Sequence, residues 1–344
     1  MKVLILGVNG FIGHSLAARI LAETDWEVAG LDLDDSRIQE LTRSPRMRFL
    51  EGDIAIHREW IEYHVKRSDV VLPLVAIATP KTYVTDPLRV FELDFEENLR
   101  VIRYAVRYQT RVIFPSTSEV YGMCPDKVFN EETSPLVLGP INKQRWIYSC
   151  AKQLLDRVIW AYGKHDGLAF TLFRPFNWIG PNLDDIDAPK EGSSRVLTQF
   201  LGHLLRDEPL RLVDGGSQRR SFCSIDDGVD ALMRILRNEG GRADGQIFNI
   251  GNPQNDYSIR ELAEMLVDVL AAHPGYEDLP KRRRFEEISA TEYYGKDYQD
   301  MPTRVPDVSR ARELLGWEPR VGMRDVLEKT VSHYVGRGAT HWPQ

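Results

Sequence analysis

Thr117, Ser118 and Glu119 stand in a row within Phe114-Pro-Ser-Thr-Ser-Glu-Val-Tyr-Gly122, and further on Tyr148-Ser-Cys-Ala-Lys152 sets a phenol beside an ammonium. A tyrosine loses its proton near pH ~10, but a neighbouring positive charge favours phenolate, so Tyr148 is a candidate general base. A spacing of four puts Tyr148 and Lys152 on one face of a helix. The hydroxyls and carboxylate follow a β-type run, Arg111-Val-Ile-Phe114, and so lie just past the carboxyl end of a strand, where open α/β sheets place ligands. Alone, such a Ser/Thr-rich loop is more often a turn than an active site.

The elements that must position these groups alternate between strand and helix. Lys2-Val-Leu-Ile-Leu6 is a nearly continuous apolar run, as expected of a parallel strand buried on both faces. It leads into Gly7, Asn9, Gly10, Phe11, Ile12 and Gly13, with helical spacing from Phe11 to Ala22. A Gly-x-x-Gly-x-x-Gly loop at this junction lets the backbone approach a pyrophosphate, whose charge the helix N-terminus holds. A second strand, Trp26 to Leu31, ends in Asp32, nineteen residues after Gly13. That is the place of the carboxylate that takes adenosine ribose hydroxyls and repels a 2′-phosphate, so NAD is favoured over NADP. Met47 to Glu51 reads as a third strand closing on Gly52-Asp53-Ile54, with Asp53 at the adenine edge, and residues 57–66 as a helix. Asp69 to Ala76 form a fourth strand carrying Leu74 and Ala76 into the small-residue segment Ile77-Ala-Thr-Pro80, against which a cofactor can lie flat. One helix over 88–108 precedes the fifth strand, the Tyr148 helix follows it, and Leu168 to Phe173 give a sixth strand before Arg174-Pro175-Phe-Asn177.

This alternation implies right-handed crossovers and an α/β fold, a doubly wound parallel sheet of Rossmann type with a smaller C-terminal α/β substrate lobe. Residues 1–178 are expected to form the NAD-binding domain, with segments near 218–253 returning to it, and residues 179–344 mainly the substrate-binding lobe. Residues 182–195 read as a flexible loop over the site, 196–206 as a helix and 210–213 as an extended piece. Ser258 with Glu261 is a capping box opening a helix to 272, and a later helix ends at Gly316. In this frame Tyr148 takes the proton of a sugar hydroxyl while the hydride leaves to NAD, Thr117 shares the hydrogen bond, and Lys152 also holds the cofactor ribose.

The 344 residues carry 44 Lys and Arg against 51 Asp and Glu, and the net charge of -7 argues against a nucleic-acid surface. A few arginines suffice for a small anion. Three cysteines without paired or metal-type spacing suit free thiols in a reducing, cytoplasmic setting, and no metal site is expected. No apolar run reaches the ~18 residues of a membrane span, nor does the N-terminus resemble a signal peptide.

Gly7 to Gly13, Asp32, Thr117, Tyr148 to Lys152, Arg174 to Asn177 and Leu315-Gly-Trp-Glu-Pro319 resemble an extended short-chain dehydrogenase/reductase of the nucleotide-sugar branch. Val71 to Pro80, Phe114 to Cys124, Gln153 to Gly163 and Tyr293 to Asp300 bring the likeness closer, to stand-alone UDP-4-keto-pentose/UDP-xylose synthases and the UDP-glucuronate decarboxylase domain of the bifunctional enzyme ArnA. The formyltransferase module of the latter has no counterpart here, so formyl transfer is not expected. The resemblance implies NAD, bound also through Leu74, Ala76, Ile54 and Pro175, a homodimer, and UDP-glucuronate as substrate. It implies oxidation at C4 by Tyr148, Thr117 and Lys152, loss of the carboxylate amid Ser118, Glu119 and Arg304, and a UDP-sugar held by Tyr83, Asn177, Arg195, Arg211, Arg220 and Tyr298. The 4-keto-pentose is then released or reduced onward to UDP-xylose.

Sister dehydratases place an Asp-Glu pair after the threonine, and a 4-epimerase needs no carboxylate there. Ser118 beside Glu119 favours decarboxylation over both alternatives. A non-catalytic NAD sensor or scaffold on the same fold would have no use for Tyr148 and Lys152.

Overall fold

The computed structural model describes residues 1–186, 195–301 and 303–338. Seven parallel strands form one sheet, in the spatial order Gln246–Ile250, Phe170–Pro175, Arg111–Pro115, Val70–Pro73, Lys2–Leu6, Glu27–Asp32, Met47–Glu51. The doubly wound sheet expected from the sequence is present. Side chains alternate across it, so Val3, Ile5, Leu72 and Ile113 join the core on one face, while Leu4, Leu6, Val71, Val112 and Phe114 join the other. This two-sided burial is why the strands read as unbroken apolar runs. Gln246–Ile250 was not legible as a strand, because its Gln-Ile-Phe-Asn-Ile sequence is half polar. It pairs in register with Phe170–Pro175, Asn249 opposite Arg174.

The chain order reverses between the first strand and the fourth, where Leu6 lies opposite Leu31 on one side and Pro73 on the other. Loops leave the two strands in opposite directions there and open a crevice at their carboxyl ends. The glycine loop, Leu74–Ala78, Ser116–Glu119 and Pro175–Asn177 all emerge along that edge.

The continuous helix expected over 88–108 is instead three pieces. Pro87–Phe91 starts on Pro87, with the Asp86 side chain accepting from the Arg89 N–H at 3.3 Å. A π-helical turn, Glu92–Glu97, then inserts before Asn98–Tyr108. The extra residue turns Asp94 and Asn98 into the interior, where both are fully buried. Asn98 Nδ2 donates to the carbonyls of Val75 (3.1 Å) and Leu93 (3.0 Å), replacing bonds that the wider turn forgoes.

Beyond residue 178 the structure is built from short pieces. Leu210–Val213 pairs in parallel with Phe285–Ile288, and Arg219–Ser221 pairs antiparallel with Asp256–Ser258. The helix Ile259–Ala271 carries the anticipated capping box of Ser258 and Glu261. The helix Ile225–Arg237 packs against Phe11–Glu23, and the buried Trp317 donates its Nε1–H to the Asp227 carbonyl at 3.0 Å. Residues 187–194 of the loop expected over 182–195 lie outside the described residues. Among the described residues the three cysteines are free thiols, and no helix is long and apolar enough to cross a membrane.

Candidate active site

A cavity of about 470 Å³ follows the carboxyl edge of the sheet and continues under the C-terminal segments. Its first end is the glycine loop. Gly7 adopts φ +87°, which an L side chain resists, and donates to the Leu31 carbonyl at 2.8 Å. At Gly13 a Cβ would come closer than van der Waals contact to the Gly7 carbonyl and lie 2.8 Å from Val8 Cα. The helix Phe11–Glu23 begins at Gly10 with no side-chain cap, leaving its first N–H groups directed at the cavity end lined by Gly10 to Gly13. Asp32 accepts from the backbone N–H of Asn9 (2.7 Å) and Leu33 (2.8 Å). Burial pushes its carboxyl above the usual value, against those hydrogen bonds. Glycines that admit no side chain and a carboxylate at the adjacent strand end fit the NAD cofactor.

Leu74, Ala76 and Pro175 line the next part of the wall, and Asn9 orders the loop behind it, donating from Nδ2 to Asp34 at 2.7 Å. Asn9, Asp32, Asp53 and Ile54 do not line the cavity. Asp53 accepts from Ala55 N–H within its own turn at 2.7 Å, and Ile54 is buried in the core.

The wall segment is pinned from behind by a group the sequence reading missed. Asp94, delivered by the π-turn, accepts from Ile77 N–H at 2.7 Å, while its other oxygen has no partner among the described residues. Burial raises its pKa to about 7, against the attraction of Lys152. A carboxyl raised above its unfolded value holds its proton more tightly in the native state, so its stabilising contribution is full at low pH and is lost as pH rises from about 4 through 7. Asp94→Asn keeps the acceptor for Ile77 and removes the titration. Urea unfolding of the cofactor-free protein should show no advantage for the variant near pH 4 and a gain of roughly 2–4 kcal/mol above pH 7. Parallel pH profiles for the two proteins would sink this assignment.

The helix Trp146–His165 places Tyr148 and Lys152 one turn apart, both almost fully buried, at the centre of the cavity. Tyr83 stacks on Tyr148 with ring centroids 4.8 Å apart and planes within 6°. Thr117 lies near Tyr148 in the cavity and caps the turn Ser118–Tyr121, accepting from Glu119 N–H at 3.2 Å. Lys152 is expected to favour phenolate together with a nicotinamide cation, and its own ammonium is engaged elsewhere. Lys152 Nζ donates to the Pro115 carbonyl at 3.0 Å and stands 6.0 Å from the Tyr148 ring centre. Burial, followed by the charges of Asp94 and Glu119, holds the Tyr148 proton well above its usual value. Lys152 is itself lowered by burial, against Asp94 and Asp156. Deprotonation of Tyr148 therefore requires a further positive charge at the cavity centre.

Beneath this turn a buried network fixes its backbone. Ser116 Oγ donates to Asp156 at 2.7 Å, Arg174 pairs with Asp156 at 3.3 Å and donates to Tyr121 Oη at 2.9 Å, and Tyr121 donates to Asn249 at 2.8 Å.

The far end of the cavity is ionic. Glu119 pairs with Arg145 at 2.7 Å and Arg304 at 3.2 Å, and Arg220 pairs with Asp300 at 2.7 Å. Burial works against Glu119's charge, but Arg145 and then Arg304 outweigh it and hold the carboxyl below its usual range. Three guanidiniums against two carboxylates leave this cluster one positive charge in excess. Tyr294 and Tyr298 stack at 4.0 Å beside it. Arg195 and Arg211 also line the cavity while pairing with Asp184 (3.1 Å) and Glu286 (3.9 Å), and Asn177 donates to the Ser221 carbonyl at 3.1 Å.

The structure thus brings to one cavity every proposed catalytic and substrate residue, together with Gly7, Gly10 to Gly13, Leu74, Ala76 and Pro175. Arg145, Asp94, Asp300 and Tyr294 were not anticipated. Arg145 left one sequence signal, since a cation at the start of a helix opposes the macrodipole and calls for another reason to be there.

Residues 3–251 match the model of the NAD dependent epimerase/dehydratase family. Among solved structures, the PbgP3 protein of Burkholderia pseudomallei is 56% identical, with a TM-score of 0.88 over 98% of this chain and 97% of that one. The fold is shared by UDP-glucose 4-epimerase of Thermotoga maritima, with UDP-glucose (23% identity, TM-score 0.79, 98% and 99% of the chains). It is shared too by UDP-glucuronic acid 4-epimerase of Bacillus cereus, in complex with UDP-glucuronic acid and NAD (22%, 0.80, 98% and 100%). On the extent of the family match and the depth of the likeness to the Burkholderia structure, the chain is an NAD-using enzyme that belongs to the NAD dependent epimerase/dehydratase family.

Proposed function

We propose that the enzyme oxidises UDP-glucuronate at C4 and releases its carboxylate as carbon dioxide, forming UDP-4-keto-pentose, with onward reduction to UDP-xylose as a second outcome. The observation that carries this reading is the excess positive charge at the sugar end of the cavity, where Arg304 is held only by Glu119 among the described residues. A neutral hexose offers Arg304 no second anionic partner; the carboxylate of a uronic acid does.

Bound NAD supplies the acceptor for the C4 hydrogen and its electron pair, and its positive nicotinamide ring supplies the charge that Tyr148 lacks. Tyr148 takes the proton of the C4 hydroxyl, with Thr117 sharing the hydrogen bond. The resulting ketone lies β to the carboxylate, so the carbon–carbon bond breaks with its electrons passing into the ketone as an enolate. In this reading Arg304 orients the departing carboxylate, and Ser118 and Glu119, which line the same cavity, assist its loss or the later return of a proton to C5. Loss of water would need an acid at residue 118, where serine stands. Arg220, Arg195, Arg211, Asn177, Tyr83 and Tyr298 hold the UDP-sugar in this reading. Residues 179–344 serve mainly as its lobe and 1–178 as the NAD domain. A homodimer formed through the helices 98–108 and 146–165 is supported by Leu154 and Trp160, exposed at 46% and 41%.

Purified enzyme given UDP-glucuronate and NAD should release one carbon dioxide per sugar consumed. Absence of carbon dioxide with inversion at C4 would make it an epimerase and end the decarboxylase reading. Carbon dioxide without accumulating NADH identifies UDP-xylose as the product.

A further inference from the structure

Glu119 is shared unequally by its two arginines. Arg145 is closer, at 2.7 Å against 3.2 Å for Arg304, and is fixed from more sides. It donates to the Gln299 carbonyl at 3.0 Å and lies between the rings of Trp146 and Tyr298, whose centroids are 4.6 Å and 5.2 Å from its Cζ. Trp146 in turn donates from Nε1 to the Gln299 side chain at 3.1 Å, so the guanidinium sits in a closed frame. Arg145 is wholly buried and does not line the cavity, whereas Arg304 lines it. A side chain that cannot reach a ligand acts only through its neighbours.

We propose that Arg145 is a positioning residue that keeps the Glu119 carboxylate in place, so that Arg304 can exchange Glu119 for the carboxylate of an acidic sugar nucleotide. The inference rests on the UDP-glucuronate reading above. Glu119 faces Arg145 from the start of the helix Trp146–His165, Arg304, Asp300 and Tyr298 from the segment after residue 293, Arg220 from the strand 219–221, and Tyr83 and Tyr148 across the cavity. Of these, Arg145 contributes most to keeping the buried carboxylate charged. Without it Glu119 depends chiefly on Arg304, with a smaller contribution from Arg220. Substrate must then break that pair, and Glu119 takes up a proton nearer neutrality.

The test is a double-mutant cycle on the full chain with Arg145→Met, Glu119→Gln and both together, following carbon dioxide release and calorimetric binding of UDP-glucuronate and UDP-glucose across pH. Arg145→Met should lower kcat/KM on the order of a hundredfold, largely through KM for the acidic sugar, and move the acidic limb of the pH profile up by about 1–3 units. Affinity for UDP-glucose should change less than threefold or so. The double variant should be no worse than Glu119→Gln, since Arg145 then has nothing to position. Arg145→Lys, which restores the charge, should bring the acidic limb back toward that of the wild-type enzyme, and Arg145→Gln replaces Arg145→Met if the latter does not fold. Multiplying losses in the double variant, or an acidic limb that stays in place in Arg145→Met, would overturn the proposal. Wild-type enzyme that binds UDP-glucuronate but releases no carbon dioxide would defeat the decarboxylase reading alone. The role of Arg145 would then still be decided by the binding cycle.

Discussion

Tyr148→Phe is expected to bind NAD as the wild-type enzyme does and to oxidise UDP-glucuronate ~10³-fold more slowly. The substitution removes one oxygen and little else. Phenylalanine preserves the parallel stack on Tyr83, with its 4.8 Å centroid separation, and the cover over Lys152. What disappears is the hydroxyl that the helix Trp146–His165 brings to the cavity near Thr117. Burial and two nearby carboxylates oppose the phenolate, so in the proposed mechanism the positive charge that favours it arrives with the cofactor. The variant should therefore lose kcat and retain NAD affinity. Turnover within tenfold or so of wild type would assign the base elsewhere, with Lys152 the first group to examine.

Gly13→Ala should have a comparable effect at the opposite end of the cavity, through binding and stability. Its methyl group would overlap the Gly7 carbonyl and press on Val8 Cα at 2.8 Å. Neither can retreat easily, since Gly7 N–H is bonded to the Leu31 carbonyl at 2.8 Å and Val8 is fully buried. Forcing the loop aside costs about 1–3 kcal/mol of stability and spoils the approach of backbone N–H groups to pyrophosphate. NAD affinity should fall on the order of a hundredfold by calorimetry, with a melting temperature lower by several degrees. Gly10→Ala is the internal comparison. Its Cβ would meet the Gly7 carbonyl at 3.2 Å, a contact that small shifts relieve, and its losses should be milder. Equal NAD affinity in Gly13→Ala and the wild type would mean that this loop is not the cofactor's cradle.

Much of the fold was legible because its rules are local. Strands buried on both faces must be continuous apolar runs, and Lys2–Leu6 and Val70–Pro73 are. Helix ends announced themselves through Ser258 with Glu261 and through Gly316, which takes φ +61°. The local rules failed where tertiary contacts outbid them. Residues 88–108 have uninterrupted helical spacing, yet a π-turn intervenes because Asn98 and Asp94 find better partners in Val75 and Ile77 than a regular helix offers. Gln246–Ile250 pairs as a strand because Phe170–Pro175 presents an edge to it, and its own letters are ambiguous.

The chemistry divides the same way. By itself the sequence determined the glycine loop, Asp32 and the Tyr148 and Lys152 pair, since each is defined by spacing along one turn, one loop or one strand end. Only the tertiary structure decided who answers whom. Glu119 meets Arg145, 26 residues on, and Arg304, 185 residues on. Lys152 turns to the Pro115 carbonyl, and Asp94 reaches the cofactor wall from a helix behind it. Such pairings leave no periodic trace, because they are set by a sheet whose strand order reverses at the first strand and by a C-terminal segment that returns over the site. That return brings together three arginines and two carboxylates from four separate stretches of chain, and their excess positive charge is a property of the assembled cavity alone.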